Sequence, residues 1–479
     1  MSTLNSINEF ARGSATIKLI GVALLALLLL IPASLVDSLI YERQQLRDQA
    51  VNEIASTWGG PQRLVGPVLQ VPYTQTLQSR SSDQDLVESG SAYFLPDQLT
   101  LDGSTTSEQR YRGIYVAVLY TGQVRVSGRF DSLAIERLAV NRTDLDWSRA
   151  RLSFGVEDLR GIDSLSTLEF GTQRLNFEPG TPAGGIVGTG FQASVNLDPS
   201  ASDLRFAFDL SVRGSSALTF MPLAARTSVR LKSDWDTPKF VGAFLPDERT
   251  VDDTGFGASW TVLEVNRPFA QEGTRRLGQP PIQPLDHRFR SAAAGDDLYY
   301  IEPTRMRPTE AGSVSFDGYD FGVQYLLPVD EYRKIERSAK YSALFIAATF
   351  LTFFFIEVLN RRRLHPVQYL LVGFAIVLFY ILLLSLSEHV GFDLSYLISV
   401  SLILGMVTAY SYAVLRNIKL AVLVMGILGL LYGFFYSLLQ LEEYSLLLGS
   451  FGLLAALATV MYLTRGTNWY KLSLADPAD

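Results

Sequence analysis

The chain has 479 residues, 48% of them hydrophobic and only 19% charged, and carries a net charge of −7 at pH 7. It has no cysteine, which excludes disulfides, thiolate metal sites and cysteine nucleophiles. No Lys/Arg-rich tract accompanies the acidic balance, so nucleic acid is set aside as a partner.

The apolar residues are unevenly spread, and the first concentration opens the chain. A bilayer core about 30 Å thick needs roughly 20 apolar residues in a helix. Residues 19–36 (LIGVALLALLLLIPASLV), preceded by Arg12 and Lys18, meet that length. A cleaved signal peptide is the competing reading. The run is long for one, and Pro32 and Leu35 spoil the nearest small-x-small cleavage sites, so an uncleaved anchor is expected. Residues 38–58 keep helical spacing and are expected to continue the span as an amphipathic stalk, with Tyr332–Lys340 doing the same on the return.

Residues 37–339 read as a polar, mainly β domain. Leu204, Phe206, Phe208, Leu210 and Val212 alternate with Arg205, Asp209, Ser211 and Arg213. Val124, Val126 and Phe130, and then Val229 and Leu231, repeat the pattern with Arg125, Arg129, Arg230 and Lys232 between them. Such alternation suits antiparallel strands with one buried face. Asp102-Gly103, Gly184-Gly185 and Asp317-Gly318 read as turns, and the proline-rich stretch 265–298 as a long loop or a linker between two lobes. Gly188–Ala193 has the spacing G-x-G-x-x-A, but without a strand before it or a helix after it; it is read as a flexible turn, not a dinucleotide loop.

Five further spans are predicted, at 341–358, 367–386, 394–415, 418–438 and 445–464. Arg361–Arg363, Arg416 with Lys419, and Arg465 with Lys471 mark one side; Glu388 with Asp393, and Glu442 with Glu443, mark the other. Positive loops stay cytoplasmic. The expected fold is therefore a multi-pass α-helical membrane protein of six spans, with a large extracytoplasmic, sandwich-like β domain inserted between spans one and two. Residues 1–18 and 466–479 are cytoplasmic in this scheme, and 340–465 form a five-helix bundle.

Candidate chemistry is sparse. His287, His365 and His389 lie in separate regions, so a histidine-based metal site is not expected, and neither is a cofactor. No Ser sits in a G-x-S-x-G elbow. Glu388-His389 falls where span three leaves the membrane. It is read as an interfacial cap, against a proton, ligand or partner contact. Glu357 is expected to pair with Arg361 one turn on. Gly426, Gly429 and Gly433 share a face of span five, and Gly449, Gly452, Ala456 and Thr459 a face of span six; small faces let helices approach closely in lipid.

Several segments together resemble the CreD family of Gram-negative inner-membrane proteins: Gly60–Pro67 (GPQRLVGP), Asp158–Ile162 (DLRGI), Ser233–Pro246 (SDWDTPKFVGAFLP), Ala339–Phe392, Leu447–Ser450 and Thr464–Tyr470. The resemblance implies a bacterial inner-membrane location and a role in cell-envelope integrity, induced under carbon-source and β-lactam stress. It brings no catalytic residues. A non-enzymatic envelope protein in the lipid bilayer, with a periplasmic or membrane protein partner, is thus the leading reading. A transporter or lipid-handling protein and a membrane-anchored enzyme are the alternatives.

Overall fold

The computed structural model describes residues 15–77, 86–182, 186–198, 203–276, 318–326, 331–359, 364–441 and 444–465. The chain divides into two compact units, Met1–Gln45 with Val329–Asp479, and Leu46–Pro328.

The unit Leu46–Pro328 is built of two sheets, each of nine strands among the described residues. The central strands of one are Gln62–Leu77, Ala217–Met221, Phe321–Tyr325 and Arg151–Val156; the other is centred on Gln98–Arg112, Tyr115–Phe130, Leu204–Ser215 and Arg226–Ser233. Alternation decides which side chains meet between the layers. In Leu204–Ser215, Phe206, Phe208, Leu210 and Val212 are buried while Arg205 and Asp209 are exposed. The facing rings interlock: Phe154 of the first sheet lies 5.1 Å from Phe208 of the second, Phe321 lies 5.7 Å from Trp260, and Tyr325 stacks on Tyr120 at 4.8 Å. Each such pair adds about 0.5–1.5 kcal/mol to simple burial. One core joins both sheets, so the unit is a sandwich with a single main lobe.

Three local expectations are corrected. Pairing is not wholly antiparallel: Gln62–Val65 runs parallel to Leu218–Met221, and Gln98–Thr105 parallel to Arg226–Ser233. Alternation reports a buried face but not the direction of a neighbouring strand. Asp102-Gly103 is not a turn. It lies inside the strand Gln98–Arg112, where a Cβ on Gly103 would come within 3.1 Å of Leu231; the hairpin instead reverses at Gly113, whose φ of +62° suits glycine. Gly190–Ser194 is no flexible turn but a strand pairing with Arg151–Val156, and Phe191 is buried in the core. Of the predicted loop 265–298, Glu272–Arg276 forms a strand on Leu86–Phe94 and residues 277–298 lie outside the described set, as do Gly184, Gly185 and Asp317.

Among its described residues the other unit is helical. Its helices are α1 (Ala15–Trp58, shared with the sandwich unit from Leu46 on), α2 (Glu331–Lys340), α3 (Ser342–Leu359), α4 (Pro366–Val390), α5 (Phe392–Leu415), α6 (Ile418–Gln440) and α7 (Ser445–Thr464). The first span and the predicted stalk are thus one uninterrupted helix, with Pro32 inside it. Local chemistry sets the boundaries elsewhere. His365 caps α4, its Nδ1 accepting from the Val367 N–H at 3.3 Å, and Pro366 supplies a pre-set first turn. Gly391, with φ of +81°, breaks the chain between α4 and α5. Asn417 caps α6.

Leu24, Leu27, Ile31, Leu397, Leu402, Leu430, Phe451 and Leu454 are among many large apolar residues left exposed around the outside of this unit. A band of that extent is unfavourable in water and suits lipid. By length and composition, α1, α4, α5 and α6 can each cross a membrane. α2 and α3, bent by 46°, make a fifth crossing if taken as one. By this measure four or five of the six spans read from the sequence are met; α3 alone is short, and of the 20-residue α7 only Leu447–Tyr462 enters the count.

Candidate functional site: polar clusters at the ends and in the interior of the helical unit

Glu388 sits in the last turn of α4, where an apolar helix runs out into polar sequence. Its side chain is only 9% exposed, because two other helices cover it. Tyr332 of α2 donates its hydroxyl to Oε1 at 3.0 Å, and Nε of Arg43 on α1 lies 3.8 Å from the same oxygen. His389 faces the other way. It is exposed, with Nδ1 3.1 Å from the Ser385 carbonyl of its own helix. The two adjacent residues therefore do not form one site: Glu388 ties three helices, and His389 lies on the surface.

Similar ties surround Glu388. Asp393, at the start of α5, accepts from Tyr436 at 3.1 Å and from Gln440 at 2.6 Å, both on α6. Lys334 of α2 lies 5.3 Å over the Phe392 ring and 3.4 Å from the Gln440 Oε1. Gln44 of α1 reaches Glu336 at 3.5 Å. The short amphipathic α2 is thus cross-linked to α1, α4, α5 and α6 through its polar side, while Ile335 and Ala339 are buried on its other side.

Beneath this layer lies a tyrosine-rich interior. Tyr396 donates to the Tyr432 carbonyl at 2.8 Å, and Phe379 packs 5.0 Å from both Tyr380 and Tyr432. The hydroxyls of Thr349, Tyr380, Ser395, Ser399, Thr408 and Tyr432 are buried without a hydrogen-bond partner. Sequence reading passed over these residues because single tyrosines and serines in apolar runs carry no pattern.

At the far end of α3, Glu357 is fully buried. Its expected partner, Arg361, lies outside the described residues. Among the described residues the carboxylate is held by Lys18 of α1 in an ion pair, by the Leu364 N–H at 2.8 Å and by the Tyr369 hydroxyl at 2.9 Å. Lys18 also reaches the Leu364 carbonyl at 3.4 Å. A lone carboxylate in an otherwise apolar run was the available signal; its partners come from α1, from α4 and from Leu364 just before α4, and were not legible locally.

The glycine faces behave unequally. A Cβ at Gly426 or Gly433 would meet nothing within 4 Å, and Ala456 is exposed. The packed face of α6 is Ala421, Val424, Leu428, Tyr432 and Phe435. Gly429 comes near Leu404 (3.7 Å), Gly449 near Leu438 (3.6 Å), and a Cβ at Gly452 would overlap the Phe434 ring. The tightest helical glycine contact, Gly373 of α4 against Leu29 of α1, was not singled out, being a lone glycine without a repeat.

In the sandwich, two of the segments that carried the resemblance meet. Asp158 accepts from the Gly60 N–H at 3.0 Å and is gripped by Arg160, whose Nη1 donates to the Ser56 carbonyl at 2.9 Å. Burial works to raise the Asp158 pKa, but the hydrogen bonds from Arg160 and Gly60 outweigh it and hold the carboxyl below its ordinary range. Gln62 bridges the Asp158 and Arg213 carbonyls, and the guanidinium groups of Arg110 and Arg213 lie 4.3 and 4.9 Å from the Trp58 ring. A Cβ on Gly161 would strike the Arg213 carbonyl, so the DLRGI segment requires glycine there. Among the described residues no group of three or more His, Asp or Glu is placed to hold a metal ion.

Apolar helices from both ends of the chain, polar ties at their ends and a sandwich formed by the middle define a multi-pass membrane protein with a large β domain. The family model described as "Inner membrane protein CreD" matches residues 14–470. Inner membrane protein CreD of Escherichia coli (strain K12) is 33% identical over 453 residues, covering 94% of this chain and 92% of that protein. The chain belongs to the CreD family of inner membrane proteins. Two crystal structures of an M1 zinc metallopeptidase from Deinococcus radiodurans align with TM-scores of 0.18 and 0.20, at 9% and 11% identity, covering 35% and 69% of this chain and 38% and 86% of theirs. Likeness at that level carries no inference.

Proposed function

We propose that the chain is a non-enzymatic inner-membrane protein that supports cell-envelope integrity under stress, with the sandwich as the module that contacts a periplasmic or membrane partner. In this reading α3 and α7 cross the membrane as well as α1, α4, α5 and α6, which makes six crossings with both termini cytoplasmic and the sandwich periplasmic. The loop charges support that sidedness. The observation that carries the reading is the division of labour within the chain. Both ends contribute to one lipid-suited helical unit, while Leu46–Pro328 closes a complete core of its own. Glu388 is a structural tie in this scheme and His389 a surface residue.

The test is complementation of a deletion strain under envelope stress. The native chain should restore growth, and His389→Asn at normal membrane level should do so equally. Failure of the native chain to complement, at normal level, would remove the reading.

One observation favours a second reading, a transporter or lipid-handling protein. Six partnerless hydroxyls inside the helical unit are unfavourable in a dry bundle, and polar groups at such depth are often functional. Tyr380→Phe and Tyr432→Phe remove two of them without changing shape. Under the structural reading both variants complement; a variant present at normal level that does not complement supports the transport reading.

A further inference from the structure

Arg267 follows the short 3-10 turn Glu264–Asn266 at the edge of the sandwich and is 7% exposed. A guanidinium taken out of water needs compensation, normally from a carboxylate. The buried Arg63 has one, Glu157 at 3.3 Å. Arg267 pairs with no carboxylate among the described residues. Its Nη1 donates to the Phe269 carbonyl at 2.6 Å, and its plane lies 4.4 Å over the Phe269 ring. Nε and Nη2 have no partner.

Those two nitrogens form one edge of the planar guanidinium, the edge that grips both oxygens of a carboxylate or phosphate in parallel hydrogen bonds. The Nη1 bond and the Phe269 ring fix the plane, and the two nitrogens of this edge are buried without a hydrogen bond. Phe269 is itself held in a small apolar cluster with Tyr93, Leu95, Met221 and Leu223. The arrangement is that of a positioned, desolvated cation awaiting a two-oxygen partner. Burial lowers the guanidinium pKa to about 10, with Glu264 and Tyr93 acting in the opposite direction, so it stays charged at neutral pH.

We infer that the Nε/Nη2 edge of Arg267 is a binding site for an oxyanion, the carboxylate or phosphate group of a ligand or partner of the sandwich. The inference rests on the reading of the sandwich as a contacting module and gives that module a recognition chemistry.

The experiment uses the full chain in neutral detergent. Its thermal unfolding is followed with inorganic phosphate, acetate or chloride at matched ionic strength. Phosphate or acetate should raise Tm saturably over chloride by about 2–4 °C, the shift expected when a ligand reaches many times its Kd. A rise with phosphate identifies a phosphorylated group, and a rise with acetate a carboxylate. Arg267→Gln should abolish the rise, and Arg267→Lys, which keeps the charge but not the fork, should weaken it. No difference among the three anions in the native chain, or an equal rise in Arg267→Gln, overturns the inference. Where Arg267→Gln fails to fold, Arg267→Lys takes its place, and a rise in Arg267→Lys equal to that of the native chain overturns the inference, because surface exclusion of phosphate or acetate would act on both alike. A negative titration removes the anion site and leaves the envelope role to the complementation assay.

Discussion

Glu357 offers the sharpest test of how the helical unit is held. Its carboxylate is fully buried and satisfies three groups at once: the Lys18 ammonium, the Leu364 N–H and the Tyr369 hydroxyl. Glu357→Leu leaves all three unmet. Removing one partner of a buried ion pair costs about 3–5 kcal/mol. Lys18 keeps 23% side-chain exposure and can extend its stem toward water, which lowers that figure. Each stranded N–H or O–H adds roughly 1–3 kcal/mol. With the Lys18 share reduced to about 2 kcal/mol and about 1 kcal/mol for each of the two stranded donors, Glu357→Leu should lose about 4 kcal/mol, and Glu357→Gln, which retains an acceptor for Leu364, about 2 kcal/mol. The assay is unfolding in detergent of the native chain, Lys18→Met, Glu357→Leu and the double variant. Because the double variant no longer strands a buried ammonium, it should be more stable than the sum of the single losses predicts, by about 1 kcal/mol or more. Strict additivity, or a Glu357→Leu variant as stable as the native chain, refutes the reasoning.

Three further outcomes are expected. Gly452→Leu should destabilise by about 1–3 kcal/mol by overpacking against Phe434, whereas Gly433→Leu should leave Tm unchanged, since its site is open; equal losses would show that the glycine face of α6 is packed after all. Asp158 has a folded-state pKa below its ordinary value, so its contribution is present above the unfolded pKa and is lost as pH falls through the folded one. The stability gap between the native chain and Asp158→Asn, read by urea unfolding, should be fully open at neutral pH and close below about pH 4. A cysteine at Gly318 should react with an impermeant thiol reagent in intact spheroplasts and one at Arg362 only after lysis, against a background free of native cysteine; the reverse pattern would invert the proposed topology.

The sequence alone determined what short-range physics can determine. The run 19–36 had to be an apolar helix, and the uninterrupted apolar sequence after residue 340 had to form several more, because length and hydropathy are local quantities. Alternation in 204–212 likewise fixed which side chains enter the sandwich core. Tertiary structure decided whatever depended on a distant partner. Alternation could not give strand direction, so the parallel pairings 62–65 with 218–221 and 98–105 with 226–233 appeared only with the fold. Small-residue spacing marked a helix face without saying that another helix lies on it, which is why Gly426 and Gly433 are open while Gly373 is filled by Leu29. The same holds for charge. Spacing could not reveal that the buried Glu357 carboxylate is met by Lys18 and Tyr369, and Glu388 parts from its neighbour His389 to meet Tyr332 and Arg43. Desolvated charges take the partners that packing brings to them, and packing is a property of the whole chain.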